Sequence, residues 1–468
     1  MIQFLLNDRL IQTAVPAGTL VLDFVRYQQR LTGTKIGCRE GDCGACTVLI
    51  GELKNGRLFY SSVTSCLMPI GNAANKHIVT IEGINATGLN FLQQAFADEG
   101  ASQCGFCTPG FIVSATGFAM SSSCNYQDGI DAMNGNICRC TGYKSIERAI
   151  GTIAGKLESR GDDDPLSFAI AQELLPPYFS GIKERLQSLQ VGSNGYTREA
   201  LSARVVVGGG TDLYVQQHDA MQDADIRFVI NEVPLKGILQ VGDECILGAS
   251  VTVSEMLKSP LFLENFPALR KYIRLVSSTQ IRNMATIAGN LVNASPIGDL
   301  TIFFLALDAQ VTLSGGDTKR KVPLRQFYKG YKLLERTEGE VIEQISFKIP
   351  PANHLFNFEK VSKRTTLDIA SVNTAILLTM NGNQVATAGI AAGGVGPIPA
   401  YLSAASAFCV GKDPSAEMLA ELLEIVQTEI APISDTRGSA IYKRLLLSQL
   451  IKAHFSILFP GLDLNPSA

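Results

Sequence analysis

The sequence predicts a multidomain α+β chain, and three observations predict it. Its 468 residues are enough for about three domains at roughly 150 residues each. Strand-like alternation and helix-like periodicity follow one another along the whole length. Nine of the 11 cysteines lie before residue 141, so the first third is chemically unlike the rest. Apolar residues make up 46% of the chain, which supplies several ordinary cores.

Composition also narrows the function. A formal net charge of −3 argues against a protein that tracks nucleic-acid phosphates. No apolar run approaches the ~18 residues of a membrane span. The N-terminal MIQFLLNDRL has no basic stretch ahead of a hydrophobic one, so it does not read as a signal peptide. A cytoplasmic location is therefore expected. In a reducing compartment clustered cysteines are more often metal ligands or redox centres than disulfides.

Residues 1–12 read as strand, 15–18 as a turn and 19–31 as helix. The segment 38-CREGDCGAC-46 follows, then an apolar strand at 47–50, a second strand near 58–63, and Cys66. The spacing C-x4-C-x2-C with a distant fourth cysteine is that of a plant-type 2Fe–2S ferredoxin. Four thiolates must converge from one short loop. Gly37, Gly41 and Gly44 allow positive φ and remove Cβ atoms, so backbone N–H groups can approach the sulfurs. A structural zinc site is the alternative, but zinc usually takes separated C-x2–4-C pairs. Cys38, Cys43, Cys46 and Cys66 are the expected ligands.

A second set lies in helical surroundings: 103-QCGFCTPG-110, then 136-NICRCTGY-143, which runs into a helical pattern at 144–157. Cys104, Cys107, Cys138 and Cys140 thus form a C-x2-C and a C-x-C pair. From the residues alone an iron–sulfur cluster, a zinc site and a redox dithiol all remain open. Cys124, Cys245 and Cys409 each stand alone and read as buried small hydrophobes.

Taken together, CREGDCGAC, QCGFCTPG and NICRCTGY resemble the tandem 2Fe–2S module of the molybdenum hydroxylases, a family that includes xanthine dehydrogenases, aldehyde oxidases and carbon monoxide dehydrogenases. The resemblance covers residues 1–155 and fills all eight ligand positions. It implies a β-grasp ferredoxin-like domain at 1–80 and a four-helix 2Fe–2S domain at 81–157. It also implies that Gln103 lies near a molybdopterin cofactor held by a partner subunit.

Residues 159-SRGDDDP-165 are charged and proline-containing, and 158–178 reads as a linker. Beyond it, 204-RVVVGGGTDLYV-215 reads as a buried strand ending in a glycine turn. Such a turn can hold phosphate oxygens through bare N–H groups or can simply be a turn. The stretch 278-STQIRNMATIAGNLVNASPIGDL-300 sets polar side chains beside glycines. It fits either a nucleotide site or a series of turn caps.

VVVGGGTDL, TIAGN and NASPIGDL resemble the FAD-binding domain of the same family. That resemblance implies an α+β FAD-binding domain at 179–345. Val205, Val206, Val207, Gly208, Gly209, Gly210, Thr211 and Asp212 would wrap the diphosphate. Thr286, Ile287, Ala288, Gly289 and Asn290 would form a second FAD loop, with Asp299 near the sugar or phosphate and Lys360 at the flavin. Tyr331 would flank the isoalloxazine or nicotinamide pocket. Where many relatives carry an aromatic against the flavin, this chain reads 273-IRLVSST-279. Strands at 371–380 and 384–394, then helices at 415–431 and 436–453, predict an α+β C-terminal domain at 346–460 that resembles the family's CO-dehydrogenase-flavoprotein-like domain.

Two 2Fe–2S clusters and FAD imply electron transfer, with no catalytic residue for hydroxylation on this chain and with NAD+ as the acceptor. The sequence stops about where the flavin module ends, so a large molybdopterin-binding partner subunit is implied, assembled as a dimer of heterodimers. The order cluster–cluster–FAD on one chain resembles the small subunit of bacterial xanthine dehydrogenases, which implies hypoxanthine and xanthine as substrates. An aldehyde or N-heterocycle hydroxylase and a free-standing electron carrier are the alternatives.

Overall fold

A computed structural model describes residues 1–85, 88–191, 205–315 and 318–462. The chain divides into two compact units. One comprises Met1–Asn231 together with Ser278–Ala285, the other Glu232–Ser277 together with Thr286–Ala468.

The first unit opens with a five-stranded sheet. In chain order its strands are β1 (Ile2–Leu6), β2 (Arg9–Thr13), β3 (Thr47–Lys54), β4 (Arg57–Thr64) and β5 (His77–Val79), and across the sheet they run β2-β1-β5-β3-β4. The stretch expected as one strand is a hairpin, because Leu6 pairs with Arg9 across a two-residue turn. Asn7 adopts φ 50° there, a left-handed conformation that asparagine tolerates better than most residues. β1 and β5 are parallel, whereas β3 is antiparallel to both β4 and β5. Phe4, Leu6, Val48, Ile50 and Ile78 face a short helix at 21–28 that buries Val21, Leu22, Phe24 and Val25.

Helices Phe91–Asp98, Thr108–Ala119, Tyr126–Met133 and Lys144–Glu158 follow. Asn90 and Gln93 form a capping box on the first, and Asn125 caps the third. The fourth buries Ile146, Ala149, Ile150, Ile153, Ala154 and Leu157, the i, i+3, i+4 spacing of an amphipathic helix. These pack with Phe96, Phe111 and Phe118. The stretch 158–178, read as a linker, is folded. It holds the helix Pro165–Ala171, capped by Asp164, and adds Phe168, Ala169, Leu174 and Leu175 to the same core. The charged SRGDDDP hid this, because its aspartate serves as an N-cap before proline and starts a helix. A two-stranded parallel ladder, Val205–Val207 with Ile226–Phe228, completes the unit with the strap Ser278–Ala285.

The second unit contains two larger sheets and a short two-stranded ladder, Tyr328–Gly330 with Leu333–Leu334. The first runs Thr318–Pro323, Gln310–Gly315, Val341–Lys348, Glu244–Gly248, Ile238–Val241, every neighbour antiparallel. The second runs His354–Val361, Val372–Asn381, Gln384–Gly393, Ala400–Tyr401, and helices Ser403–Cys409, Ala416–Thr428 and Ala440–Leu458 share its core. Helix Asp299–Ala306 is apolar apart from Asp299 and Thr301 and is buried from Leu300 to Ala306. Its Phe303 meets Phe356 of one sheet at 4.8 Å between ring centroids, and its Phe304 meets Phe347 of the other at 6.0 Å. A helix that is hydrophobic all round is a core helix, and this one joins the two sheets. Among the described residues no helix is long and apolar enough to cross a membrane.

Candidate functional site: two cysteine clusters and the predicted flavin residues

Strand register assembles the first cysteine set. Thr47 pairs with Thr64 at the end of the β3–β4 hairpin, so Cys46, just before β3, and Cys66, just after β4, arrive at the same place. Ser65 locks the junction by donating from its hydroxyl to the Cys46 carbonyl at 2.6 Å. The loop 37–45 carries the other two. Gly41 and Gly44 adopt φ of 79° and 66°. A Cβ on Gly37 would stand 2.5 Å from the Cys43 sulfur, so this glycine is required for close approach. Arg39 is also left-handed, at φ 60°. A bidentate pair with Asp23, at 2.6 and 3.1 Å, holds it there. The backbone N–H groups of Glu40 and Asp42 each donate to Cys38 Sγ at 3.3 Å.

Helix starts assemble the second set. Cys107 is the N-cap of Thr108–Ala119, and the loop carrying Cys138 and Cys140 leads into Lys144–Glu158. The positive end of a helix dipole favours thiolate there. Gly105, Gly142 and Tyr143 take φ of 80°, 64° and 68°. The Tyr143 hydroxyl accepts from the Cys138 N–H at 3.1 Å. Cys138 Sγ accepts from the Thr141 hydroxyl at 3.1 Å and from the N–H groups of Thr141 and Cys140 at 3.4 and 3.5 Å.

The eight predicted cysteines come together as four pairs, two in each set. Within each group the sulfurs meet as pairs within hydrogen-bond reach: Cys38 with Cys43, Cys46 with Cys66, Cys107 with Cys138, Cys104 with Cys140. Among the described residues no three His, Cys, Asp or Glu side chains converge on a single-ion site. Two sulfur pairs side by side suit a binuclear cluster with two thiolates per iron. The hydrogen bond from Cys43 is the main cause that lowers Cys38 to about 5, and Cys43 is raised in return. Contact with Cys66 likewise lowers Cys46 and raises Cys66. Burial raises Cys107 to about 12, with Cys138 adding to it. Burial also opposes ionisation of Cys138, but the three donors at its sulfur prevail and its pKa is lowered. The donor sets therefore fit the two clusters.

A short route joins the groups. The Ile137 N–H donates to the Cys43 carbonyl at 3.0 Å, so one hydrogen bond links the residue before Cys138 to a ligand of the other set. Of the remaining cysteines, Cys245 and Cys409 are buried as expected, while Cys124 is half-buried.

The predicted FAD residues fall in both units. In the first, Val207 is fully buried. A Cβ on Gly209 would stand 2.1 Å from the Met284 carbonyl oxygen, and Gly210 has φ 87°, so these two glycines are demanded by backbone packing as well as by any phosphate. Asp212 immediately precedes the short helix Leu213–Gln216. In the second unit Thr286 caps helix Ile287–Val292 by accepting from the Gly289 N–H at 3.1 Å. Asp299 and Lys360 meet directly: Lys360 Nζ donates to Asp299 Oδ2 at 2.6 Å and to the Leu275 and Asp368 carbonyls at 2.6 and 2.8 Å. Three acceptors use all three ammonium protons, so Lys360 is a clamp within this unit, and a flavin contact would need one of these bonds to be given up. Asn373, which sequence reasoning missed, donates to Asp299 Oδ1 at 2.6 Å. Burial raises the Asp299 pKa, opposed by Lys360 and Asn373. Tyr331 is exposed.

Four family models match. Residues 4–70 match a 2Fe-2S iron-sulfur cluster binding domain and 80–151 a second 2Fe-2S binding domain. Residues 195–351 match the FAD binding domain in molybdopterin dehydrogenase, and 358–457 the CO dehydrogenase flavoprotein C-terminal domain. Xanthine dehydrogenase 1 of Arabidopsis thaliana is 28% identical over 94% of this chain and 39% of its own length. The chain thus spans about two fifths of that relative. Carbon monoxide dehydrogenase of Oligotropha carboxidovorans is 26% identical, with a TM-score of 0.51 over 53% of this chain and 87% of that one. Carbon monoxide dehydrogenase of Hydrogenophaga pseudoflava is 25% identical, with a TM-score of 0.53 over 56% and 94%. The chain belongs to the molybdenum hydroxylase family and carries that family's two 2Fe–2S domains, its FAD-binding domain and its flavoprotein C-terminal domain.

Proposed function

We propose that this chain is the electron-transferring part of a xanthine dehydrogenase. It would stand between a molybdenum cofactor on a large partner subunit and NAD+, in the oxidation of hypoxanthine and xanthine to urate. The observation that carries this reading is the pair of four-thiol sites joined through Ile137 and Cys43. Bound clusters would supply single-electron steps, and bound FAD the pairing of electrons for hydride delivery.

The residues give the two sites different tasks. Cys104 and Cys140 are exposed, and beside them Phe106 and Tyr143 expose 48% and 39% of their surface. Exposed aromatics around half-open ligands suit a docking surface, so the molybdenum-bearing partner is assigned to this side. Cys46 and Cys66 are buried, which suits an internal relay kept from water. Val205–Asp212, Thr286–Asn290, Asp299 and Lys360 remain the proposed FAD residues, Lys360 and Asp299 as supports. A dimer of heterodimers in the cytoplasm completes the proposal. The likeness to carbon monoxide dehydrogenases favours one second reading, the equivalent part of a molybdenum hydroxylase with another substrate.

The test uses the assembly purified through this chain, mixed without air with xanthine, an aldehyde or an N-heterocycle. Bleaching of the visible spectrum by xanthine, with NADH formed, is expected. Bleaching by another substrate alone selects the second reading. Bleaching by none of them contradicts both.

A further inference from the structure

Residues 278–285 lie in the sequence between two predicted flavin loops, yet they belong to the cysteine-bearing unit. They form a strap across its two halves. Thr279 is fixed to the helical half, where its N–H donates to Asn134 Oδ1 at 2.9 Å and its hydroxyl to the Asp131 carbonyl at 2.7 Å. Asn283 is fixed to β4 of the ferredoxin-like half, donating to the Ser62 carbonyl at 2.8 Å. Between these pins Gln280 is fully buried. Its Nε2 faces Ser114 Oγ, the Ala132 carbonyl and Asn136 Oδ1 at 3.0, 3.0 and 2.9 Å. Its Oε1 is buried without a donor, and a Cβ on Gly135 would meet that oxygen at 2.1 Å. A buried orphan oxygen is unfavourable, so the amide is held in place by what its nitrogen does.

Asn136 carries the link onward. Its Oδ1 accepts from Gln280 and from the Ser114 hydroxyl at 2.8 Å, and its Nδ2 donates to the Gly44 carbonyl at 3.1 Å. Gly44 lies between Cys43 and Cys46, and Asn136 lies two residues before Cys138. A Cβ on Gly44 would stand 2.4 Å from the Gly135 carbonyl oxygen, so the two ligand loops meet backbone to backbone. We propose that the strap, through Gln280 and Asn136, fixes the separation of the two 2Fe–2S clusters and keeps the Ile137–Cys43 hydrogen bond closed. Gln280 and Asn136 are positioning residues in this proposal, which rests on the cluster reading above. Buried polar side chains held by several partners rigidify an arrangement, and among the described residues every side-chain hydrogen bond of Gln280 runs through its Nε2 into this network.

The readout is the magnetic interaction between the clusters. Each reduced cluster carries one unpaired spin, and their dipolar coupling falls with the inverse cube of distance. The full chain with bound iron and flavin is compared with Gln280→Met, which loses the Nε2 donor, and with the milder Thr279→Ala, which loses the hydroxyl bond to the Asp131 carbonyl and keeps the N–H bond to Asn134. Expected are an unchanged iron content, unchanged g-values for each cluster, loss of the splitting in Gln280→Met and a reduced splitting in Thr279→Ala. Unchanged splitting in both variants overturns the proposal. So does an unsplit native spectrum, or loss of iron from the second cluster in the variants, since Gln280 would then hold the cluster and not its distance. A native chain without iron fails the cluster reading itself, which metal analysis registers before any variant is compared.

Discussion

The two cysteine sites reach the same coordination chemistry by different means. In the first, hairpin register brings Cys46 to Cys66, and a glycine loop folds Cys38 and Cys43 over them. Two of its sulfurs are buried. In the second, the ligands sit at two helix starts and two of its four cysteines are exposed. The first has two cysteines in a domain core and none exposed, whereas the second has one, Cys138, in a core with Phe111, Ile146 and Ile150 and two at the surface. Stability and electron traffic should therefore divide between them.

Ligand loss gives the largest contrast. Cys66→Ser should remove about two of roughly four irons and loosen the ferredoxin-like half, because the residue sits in its core. Cys140→Ser should remove a similar amount of iron and leave thermal unfolding of the apo chain nearly unchanged. Metal analysis with circular dichroism melts distinguishes the two, and equal destabilisation would erase the contrast.

Acid should also destabilise the ferredoxin-like half. His77 on β5 is fully buried, its Nδ1 accepting from the Tyr60 hydroxyl at 2.7 Å and its Nε2 donating to the Asn7 carbonyl at 2.9 Å. Burial lowers its pKa from 6.5 to about 3. The unfolded state then binds the proton more readily. Stability is fully present above about pH 6.5 and falls by roughly 1.4 kcal/mol per unit as pH drops toward 3. His77→Gln should flatten that slope in chemical unfolding followed from pH 7 to 4. His454 in the second unit has the same lowered value and the same cause, so the slope of the native chain contains both.

Backbone strain gives a smaller effect. An added Cβ at Gly44 meets the Gly135 carbonyl at 2.4 Å, whereas at Gly105 it meets nothing within 4 Å, and both have positive φ. Gly105→Ala should cost roughly 1–2 kcal/mol from φ alone. Gly44→Ala should cost on the order of 3 kcal/mol or more and weaken iron binding. Equal costs in urea unfolding would contradict the tight junction. The smallest effect is electronic. Thr141→Val removes the hydroxyl donor at Cys138 Sγ. A hydrogen bond worth about 1 kcal/mol corresponds to a potential lower by about 40 mV for one electron. Only the second cluster should shift, and Thr141→Ser should restore it.

The first four cysteines were legible as a cluster set because their chemistry is local, cysteines in short spacings beside glycines that take positive φ, whereas the residues alone left the second four open and only the family resemblance implied a cluster there. Gln280, Asn136, Ser114 and Asn373 were not legible. Gln280 meets Asn136 across 144 positions, and a lone amide beside a turn gives no sign of a distant partner. The segment 278–300 looked continuous, yet the two units divide between Ala285 and Thr286. The aspartates of 158–178 read as solvated linker for a related reason, since the capping role of Asp164 and the burial of Phe168, Leu174 and Leu175 show only once the segment is packed.

The most direct measurement is iron, sulfide and flavin analysis of the purified chain, with electron paramagnetic resonance after reduction. About four irons, four sulfides and one FAD per chain are expected, with two distinct cluster signals. A colourless protein holding zinc, or a single cluster signal, would contradict the two-cluster reading.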